Sequence, residues 1–323
     1  MSITTALVRL ALTPASRNRL SVLIYHRVLR EPDPLLPSEP CAAEFERTMR
    51  WVKGTFNVIP LVDGVQGIKS GRLPPRALSI TFDDGYANNA TIAAPILSRL
   101  GLHATFFVAT GFLDGGRMFN DTVIEAVRAF TGTVLDLDDL DLGTHPITSI
   151  EDRRRTVEQI LRAVKYRPEG ERAALAERVA ERARAAPPRN LMMTSTQALE
   201  LARSGFELGG HTVNHPILTQ IHPDAVRAEI ARGRDRLEQL TGSRIGLFAY
   251  PNGKPHKDYG TAGLQIVREL GFDGAVSTSA GSARVGSDPF QIPRFTPWDS
   301  RPLRFALQVA SNLNRVKPAY VVA

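Results

Sequence analysis

Short apolar runs alternate with stretches of helical periodicity along most of the chain, the pattern of an α/β fold. Six runs predict strands at 22–26, 77–82, 104–108, 206–208, 245–249 and 274–277. Between them the spacing predicts helices over 43–53, 88–100, 195–204, 223–240 and 260–270. Glycines at 101, 205 and 271 sit where a left-handed residue would close the last turn. From 113 to 192 the rhythm changes. Beyond 133–137 there is no strand alternation, two charged helical patterns take over, and Pro187-Pro188 closes the stretch. This predicts a mainly helical insertion at about 113–192 in a unit spanning 1–300, with a helix and tail over 301–323. The apolar stretch near the N-terminus is broken by Arg9 and has no positive residue ahead of it. A short amphipathic helix fits it better than a signal peptide, and cytoplasmic residence is the resulting expectation.

Composition narrows the class without changing this picture. With 43% hydrophobic and 23% charged residues in 323, the chain is neither fibrous nor disordered. The single Cys41 excludes an internal disulfide, and no apolar stretch reaches the roughly 18 residues of a membrane span. The net charge is +7, and many of the arginines lie in 151–189 among glutamates, which reads as solvated helix faces. No zinc-finger or RNA-recognition signature is present, so nucleic acid is not an expected partner. Peripheral contact with a membrane surface, a lipid diphosphate or an anionic glycan stays open. The acidic run Asp136, Asp138, Asp139 and Asp141 lacks the glycine and terminal glutamate of a calcium loop and reads as solvent-facing. Asn120-Asp121 reads as a helix cap.

Two short motifs carry chemistry. Thr81-Phe82-Asp83-Asp84-Gly85 ends a predicted strand. Adjacent carboxylates resist joint ionisation unless something uses the charge. The plain alternative is an Asp-Gly turn, but the helical pattern that follows disfavours a hairpin. His211-Thr212-Val213-Asn214-His215 follows another predicted strand. Its histidines would share a face if this were a helical turn; taken alone they read equally as surface residues. No glutamate follows His211, so this is not the HExxH pattern. Together, one aspartate and two histidines supply three metal ligands and the other aspartate a base, leaving open positions for water and substrate. No GxGxxG supports a dinucleotide site.

With TFDDG at 81–85, HTVNH at 211–215 and FAYPNG at 248–253, the chain resembles the polysaccharide deacetylase family, the NodB-homology or carbohydrate esterase family 4 group. The resemblance covers roughly residues 20–297. It implies a distorted, incomplete (β/α) barrel with the site at the C-terminal ends of its strands. It also implies a hydrolase that removes N-acetyl groups from amino sugars of a glycan, with Asp83 as base. Asp84, His211 and His215 would bind a divalent metal ion, zinc first among the choices. Many members read F-R-P-P-Y-G in the third motif; here Ala249 stands at the arginine and Asn252 at the aromatic. Arg294 is a candidate substitute for the arginine that holds the base, with a surface ion pair as the plain alternative. The backbone N–H of Asn252 would serve the oxyanion, and Tyr250 and Trp298 would line a sugar groove or pack in the core. The family's C-terminal general-acid motif is not found. Leu23-Ile24-Tyr25-His26 is similar to it and comes first, which implies a circular permutation like that of the exopolysaccharide-modifying branch, with His26 as acid. Rival readings are a hydrolase of another amide or C–N bond on the same fold, and an inactive glycan-binding protein.

Overall fold

The computed structural model describes residues 9–10, 12–296, 301–315 and 320–321. Residues 9–10 and 12–15 are helical, as expected of the N-terminal segment; its first eight residues and Trp298 lie outside the described residues. In chain order the first elements are β1 (Arg19–Tyr25), α1 (Ala42–Thr55), β2 (Asn57–Val58), α2 (Leu61–Ser70) and β3 (Ala77–Phe82). A π-helical turn, Asn89–Ala93, leads into α3 (Ala94–Leu100), then β4 (Thr105–Val108) and α4 (Phe119–Ala129). Next come β5 (Val134–Leu137), β6 (Gly143–Pro146), α5 (Ile150–Val164), α6 (Glu169–Arg182) and α7 (Ser195–Arg203). The chain continues through β7 (Glu207–Gly210), α8 (Pro223–Thr241), β8 (Leu247–Ala249), α9 (Thr261–Glu269), β9 (Gly274–Val276), β10 (Ala283–Arg284) and α10 (Pro302–Asn314).

The main sheet runs β10-β1-β3-β4-β7-β8-β9, with β2 also on β3. All pairs are parallel except β1 with β10. Parallel strands joined by helices put every strand's C-terminal end on one rim, and that is where the loops can assemble a site. β1 lies beside β3 in full register, from Leu20 opposite Ala77 to Tyr25 opposite Phe82. The segment that pairs Ile292 with Val276 and Phe295 with Leu23 runs between β9 and β1 and draws the two ends of the curled sheet together. The result is the incomplete barrel expected from the resemblance, with β1 beside β3, the strand that leads to Asp83, and separated from β7 by β3 and β4.

Alternation along the strands decides what faces inward. Tyr25, Phe82 and Phe106 stack at 5.5 and 4.9 Å between centroids on one face of the sheet. Thr81 and Asp83 therefore point to the other face, inside the barrel, where Arg294 meets both. Helix α2 was not legible in the sequence, because Gly64 and Gly67 lower helical propensity by about 1 kcal/mol each relative to alanine. Gly64 packs closely here: a Cβ would come within 2.7 Å of the Leu20 side chain, which would have to shift to admit it.

Between residues 113 and 192 lie α4, α5, α6 and a two-stranded hairpin of β5 and β6. Strand β6 was not expected. Its sequence, Gly-Thr-His-Pro, has no apolar alternation, and only His145 turns inward. This part has its own apolar cluster, including Leu137, Ile160 and Val179. Ser149 caps α5 by accepting from the Asp152 N–H, with Asp152 returning a bond to the Ser149 N–H. Its exposed faces carry pairs such as Arg155–Asp152 and Arg162–Glu158, the solvated charge pattern the sequence predicts.

Candidate active site

The rim of the barrel gathers His26 after β1, Asp83 and Asp84 after β3, His211 and His215 after β7, and Asn252 after β8 around one cleft of about 270 Å³. Three of these positions, and Thr212 between the histidines, hold non-glycine residues in the left-handed region: Asp84 (φ 76°), Thr212 (65°), His215 (53°) and Asn252 (58°). Such backbone costs on the order of 1–3 kcal/mol per residue and persists only where surrounding contacts impose it. At 211–215 those contacts are visible. The Val213 and Asn214 N–H groups both donate to Glu229 of α8, and the His215 N–H donates to Thr212 Oγ1 at 3.0 Å. Gly233 of the same helix lies against Thr212, whose backbone a Cβ would meet at 2.8 Å. The histidines therefore converge through a strained loop and not through a helical turn.

Asp84, His211 and His215 present ligand atoms that all lie within 4.8 Å of one another. His211 Nε2 is 3.3 Å and His215 Nε2 3.5 Å from Asp84 Oδ1. His211 Nδ1 bonds the Ala249 carbonyl at 2.7 Å, which puts its proton there and leaves Nε2 to face the carboxylate. Burial drives the His215 imidazole down to about 3, so it is neutral with a lone pair at ordinary pH. Burial pushes Asp84 up, but the histidines beside it outweigh burial and hold the carboxyl well below its usual range. A buried carboxylate between two imidazole nitrogens asks for a cation. The donor set of two nitrogens and one oxygen fits a divalent metal ion with positions left open.

Asp83 is gripped from its other side. Arg294 Nη1 and Nη2 donate to its two oxygens at 2.6 and 2.7 Å, and the same guanidinium donates to Thr81 Oγ1 and the Ser277 carbonyl. Burial would raise the Asp83 carboxyl, but the Arg294 charge and hydrogen bonds bring it below its ordinary value. Arg294 is 1% exposed, so it is not a surface ion-pair residue. The segment bridging β9 to β1 carries it to β3. Asn252 lines the cleft, and among the described residues no acceptor takes its N–H.

Two expectations are corrected here. Tyr250 does not line the groove: it is fully buried, stacked on Tyr259 at 3.8 Å, with its hydroxyl donating to the Phe290 carbonyl. Asp121 is not a cap. Met118 is the N-cap residue of α4, and Asp121 lies within the first turn at 1% exposure. It accepts from the Tyr86 hydroxyl at 3.2 Å, with Arg27 3.9 Å away. Burial pushes its carboxyl up to about 7 against the pull of Arg27. With the folded value above the unfolded one near 3.9, the native state holds the extra proton, and stability falls as pH climbs from about 4 to about 7. Asp121→Asn keeps an acceptor for Tyr86 and is expected to flatten that part of the Tm-against-pH curve. An unchanged slope would mean that Asp121 folds as the anion.

A larger cavity of about 700 Å³ lies beside Arg294, between Phe295 and α10. Among the described residues it gathers no metal-ligand cluster. Sequence reasoning missed the share of the smaller cleft that belongs to the 113–192 region, where Phe119, Asn120, Leu161, Lys165 and Arg172 also line it. Those residues sit in charged helical patterns and gave no separate signal. Among the described residues, no helix is long and apolar enough to cross a membrane.

Known proteins share this architecture. The deacetylase PplD of Streptococcus pyogenes, solved in complex with acetate, superposes with a TM-score of 0.61 at 18% identity, covering 92% of this chain and 98% of that one. IcaB from Ammonifex degensii gives 0.60 at 20% identity, covering 92% and 97%. The BpsB deacetylase domain from Bordetella bronchiseptica gives 0.54 at 19% identity, covering 86% and 96%. At these identities the likeness establishes the fold. The family model described as polysaccharide deacetylase matches residues 70–135 and 174–275, just over half of the chain, and includes both the TFDDG and HTVNH motifs. The sequence motifs, the curled barrel and the matched residues agree: the chain belongs to the polysaccharide deacetylase family, the NodB-homology hydrolases of carbohydrate esterase family 4.

Proposed function

We propose that this chain removes N-acetyl groups from amino sugars of a polysaccharide, using a divalent ion, zinc first, held by Asp84, His211 and His215. The observation that carries the reading is the side-by-side pair of carboxylates in opposite settings, Asp84 facing two imidazoles and Asp83 facing a buried arginine. Bound there, a divalent ion supplies Lewis acidity at the amide carbonyl and lowers the pKa of water toward about 7. Asp83, kept ionised by Arg294, accepts the proton of the attacking water. The Asn252 N–H donates to the oxyanion that develops as the water oxygen bonds the carbonyl carbon. His26 gives a proton to the nitrogen as the C–N bond breaks, and the products are acetate and a free amino sugar. The early position of His26, which resembles the exopolysaccharide branch, supports a role in exopolysaccharide biosynthesis. Arg294 in the place of the missing arginine weighs against an inactive glycan-binding protein.

Acetate release from an N-acetylated oligosaccharide tests this directly. Release that stops with a chelator and returns with zinc is the expected result; release indifferent to the chelator would remove the ion from the reaction. For His26, replacement by alanine is expected to leave the ion in place and lower kcat roughly 10²–10⁴-fold, with the basic limb of the pH profile altered. An unaltered basic limb would assign the leaving-group proton to another donor.

A further inference from the structure

One wall of the cleft belongs to the 113–192 region, and it is cationic. Lys165, just past α5, and Arg172 of α6 both line the cavity that holds His26, Asp84 and His215. Arg172 is 5% exposed; its guanidinium lies 4.5 Å over the Phe119 ring, and Nη1 donates to the Lys165 carbonyl at 3.4 Å. These contacts fix its position without neutralising it. Other arginines in this part are paired, Arg117 with Glu177 and Arg182 with Asp139. Among the described residues, neither Lys165 nor Arg172 has a carboxylate at ion-pair distance; Glu169 acts on Arg172 only from farther away. Nor do the acidic groups of the cleft serve them, since Asp83 is taken by Arg294 and Asp84 faces the two histidines. A buried guanidinium without a counter-charge is costly, so the site is incomplete until an anion arrives. A neutral acetamido sugar brings none.

We propose that Lys165 and Arg172 form a subsite for a carboxylate or phosphate on the sugar next to the one being deacetylated, so that the substrate is an anionic glycan. The inference rests on the deacetylase reading above and specifies its substrate class. The two groups suit such a ligand: the planar fork of arginine binds carboxylate or phosphate through two bonds, and the lysine adds a mobile charge.

The test uses the full chain with its divalent ion and three oligosaccharides of equal length. One is a neutral N-acetylglucosamine oligomer, one alternates N-acetylhexosamine with hexuronate, and one carries phosphate esters on N-acetylglucosamine. Acetate release should show kcat/KM about 10-fold or more higher for one of the anionic oligomers than for the neutral one. That advantage should shrink as salt is added. The better of the two anionic substrates identifies the source of the charge. In Lys165→Gln and in Arg172→Gln the anionic-to-neutral ratio should drop toward one, and Arg172→Lys should recover part of it. Lys165 is partly exposed, so its variant remains informative if Arg172→Gln fails to fold. A neutral oligomer cleaved as well as both anionic ones, or a wild-type ratio retained in Lys165→Gln, overturns the subsite. No acetate from any of the three overturns the deacetylase reading, and this inference with it.

Discussion

Asp83→Asn is expected to lower acetate release by roughly 10²–10⁴-fold while the chain still binds one divalent ion. The geometry separates the two neighbouring aspartates. Asp84 faces the histidine nitrogens, whereas Asp83 has both oxygens on Arg294 at 2.6 and 2.7 Å and keeps its remaining lone pairs for the cleft. Arg294 holds the Asp83 carboxyl below its ordinary pKa, which favours the ionised form that a base needs. Its own contribution to the acid limb of activity then falls below the usual carboxylate range. The lowered value also has a stability consequence of definite sign. The ion pair stabilises the fold above the unfolded value near 3.9, and that stabilisation is lost as pH falls through the folded value. Asparagine cannot accept the proton and turns an N–H₂ or a single oxygen toward a buried guanidinium. Breaking such a pair costs about 3–5 kcal/mol, so Tm should drop together with the rate. Ion content and Tm are measured beside kcat. If Asp83→Asn loses the ion while Asp84→Asn retains it, the two assignments are reversed.

The parts of this fold legible in the sequence are those set by local pattern. The run 77–82 is found as β3 with the same ends, because all six of its residues are buried and a Gly-containing turn follows. The other strand expectations fall within a few residues of the observed elements, as expected when fraying decides the ends. What local pattern could not show depends on contacts far along the chain. Arg294 meets Asp83 across 211 positions, and its role turns on a bridging segment that is not a regular strand. The HTVNH histidines drew attention in the sequence, where their spacing would bring them together if the segment were a helical turn; the segment is instead a loop. Helical spacing and a loop with left-handed Thr212 and His215 both bring residues i and i+4 together, and residue types alone do not distinguish them. Tyr250 misled because an aromatic before Pro-Asn-Gly resembles a groove residue; its ring turns instead toward Tyr259, a partner nine positions on that no periodicity announces. Lys165 and Arg172 were hidden among many charged residues, and only packing on Phe119 sets Arg172 apart from a solvated helix face.

His211→Ala is expected to abolish tight ion binding and, with it, detectable acetate release. The remaining ligands, Asp84 and His215, cannot close a three-ligand site, and the lost residue is the best oriented of the three. His211 is 1% exposed, and its Nδ1 bond to the Ala249 carbonyl fixes the ring against β8 while Nε2 faces Asp84. Removing it leaves the Asp84 carboxylate buried with one imidazole, so the Asp84 pKa should rise toward its ordinary value. Two readouts besides activity check this. Metal content per chain should fall from about one toward zero. Zinc at 100 times its Kd should stabilise the wild type by about 2.7 kcal/mol and so raise its Tm, whereas the variant should show no zinc-dependent rise. His215→Ala should behave alike in both assays, but its metal-free fold should be less affected. The neutral His215 ring, with its value near 3 against about 6.5 unfolded, costs stability as pH falls from 6.5 toward 3, and alanine removes that cost. The metal-free variant should therefore keep its Tm into acid better than the wild type does. Full zinc occupancy in both alanine variants would mean that the ion is held elsewhere, and the convergence of Asp84, His211 and His215 would then need another explanation.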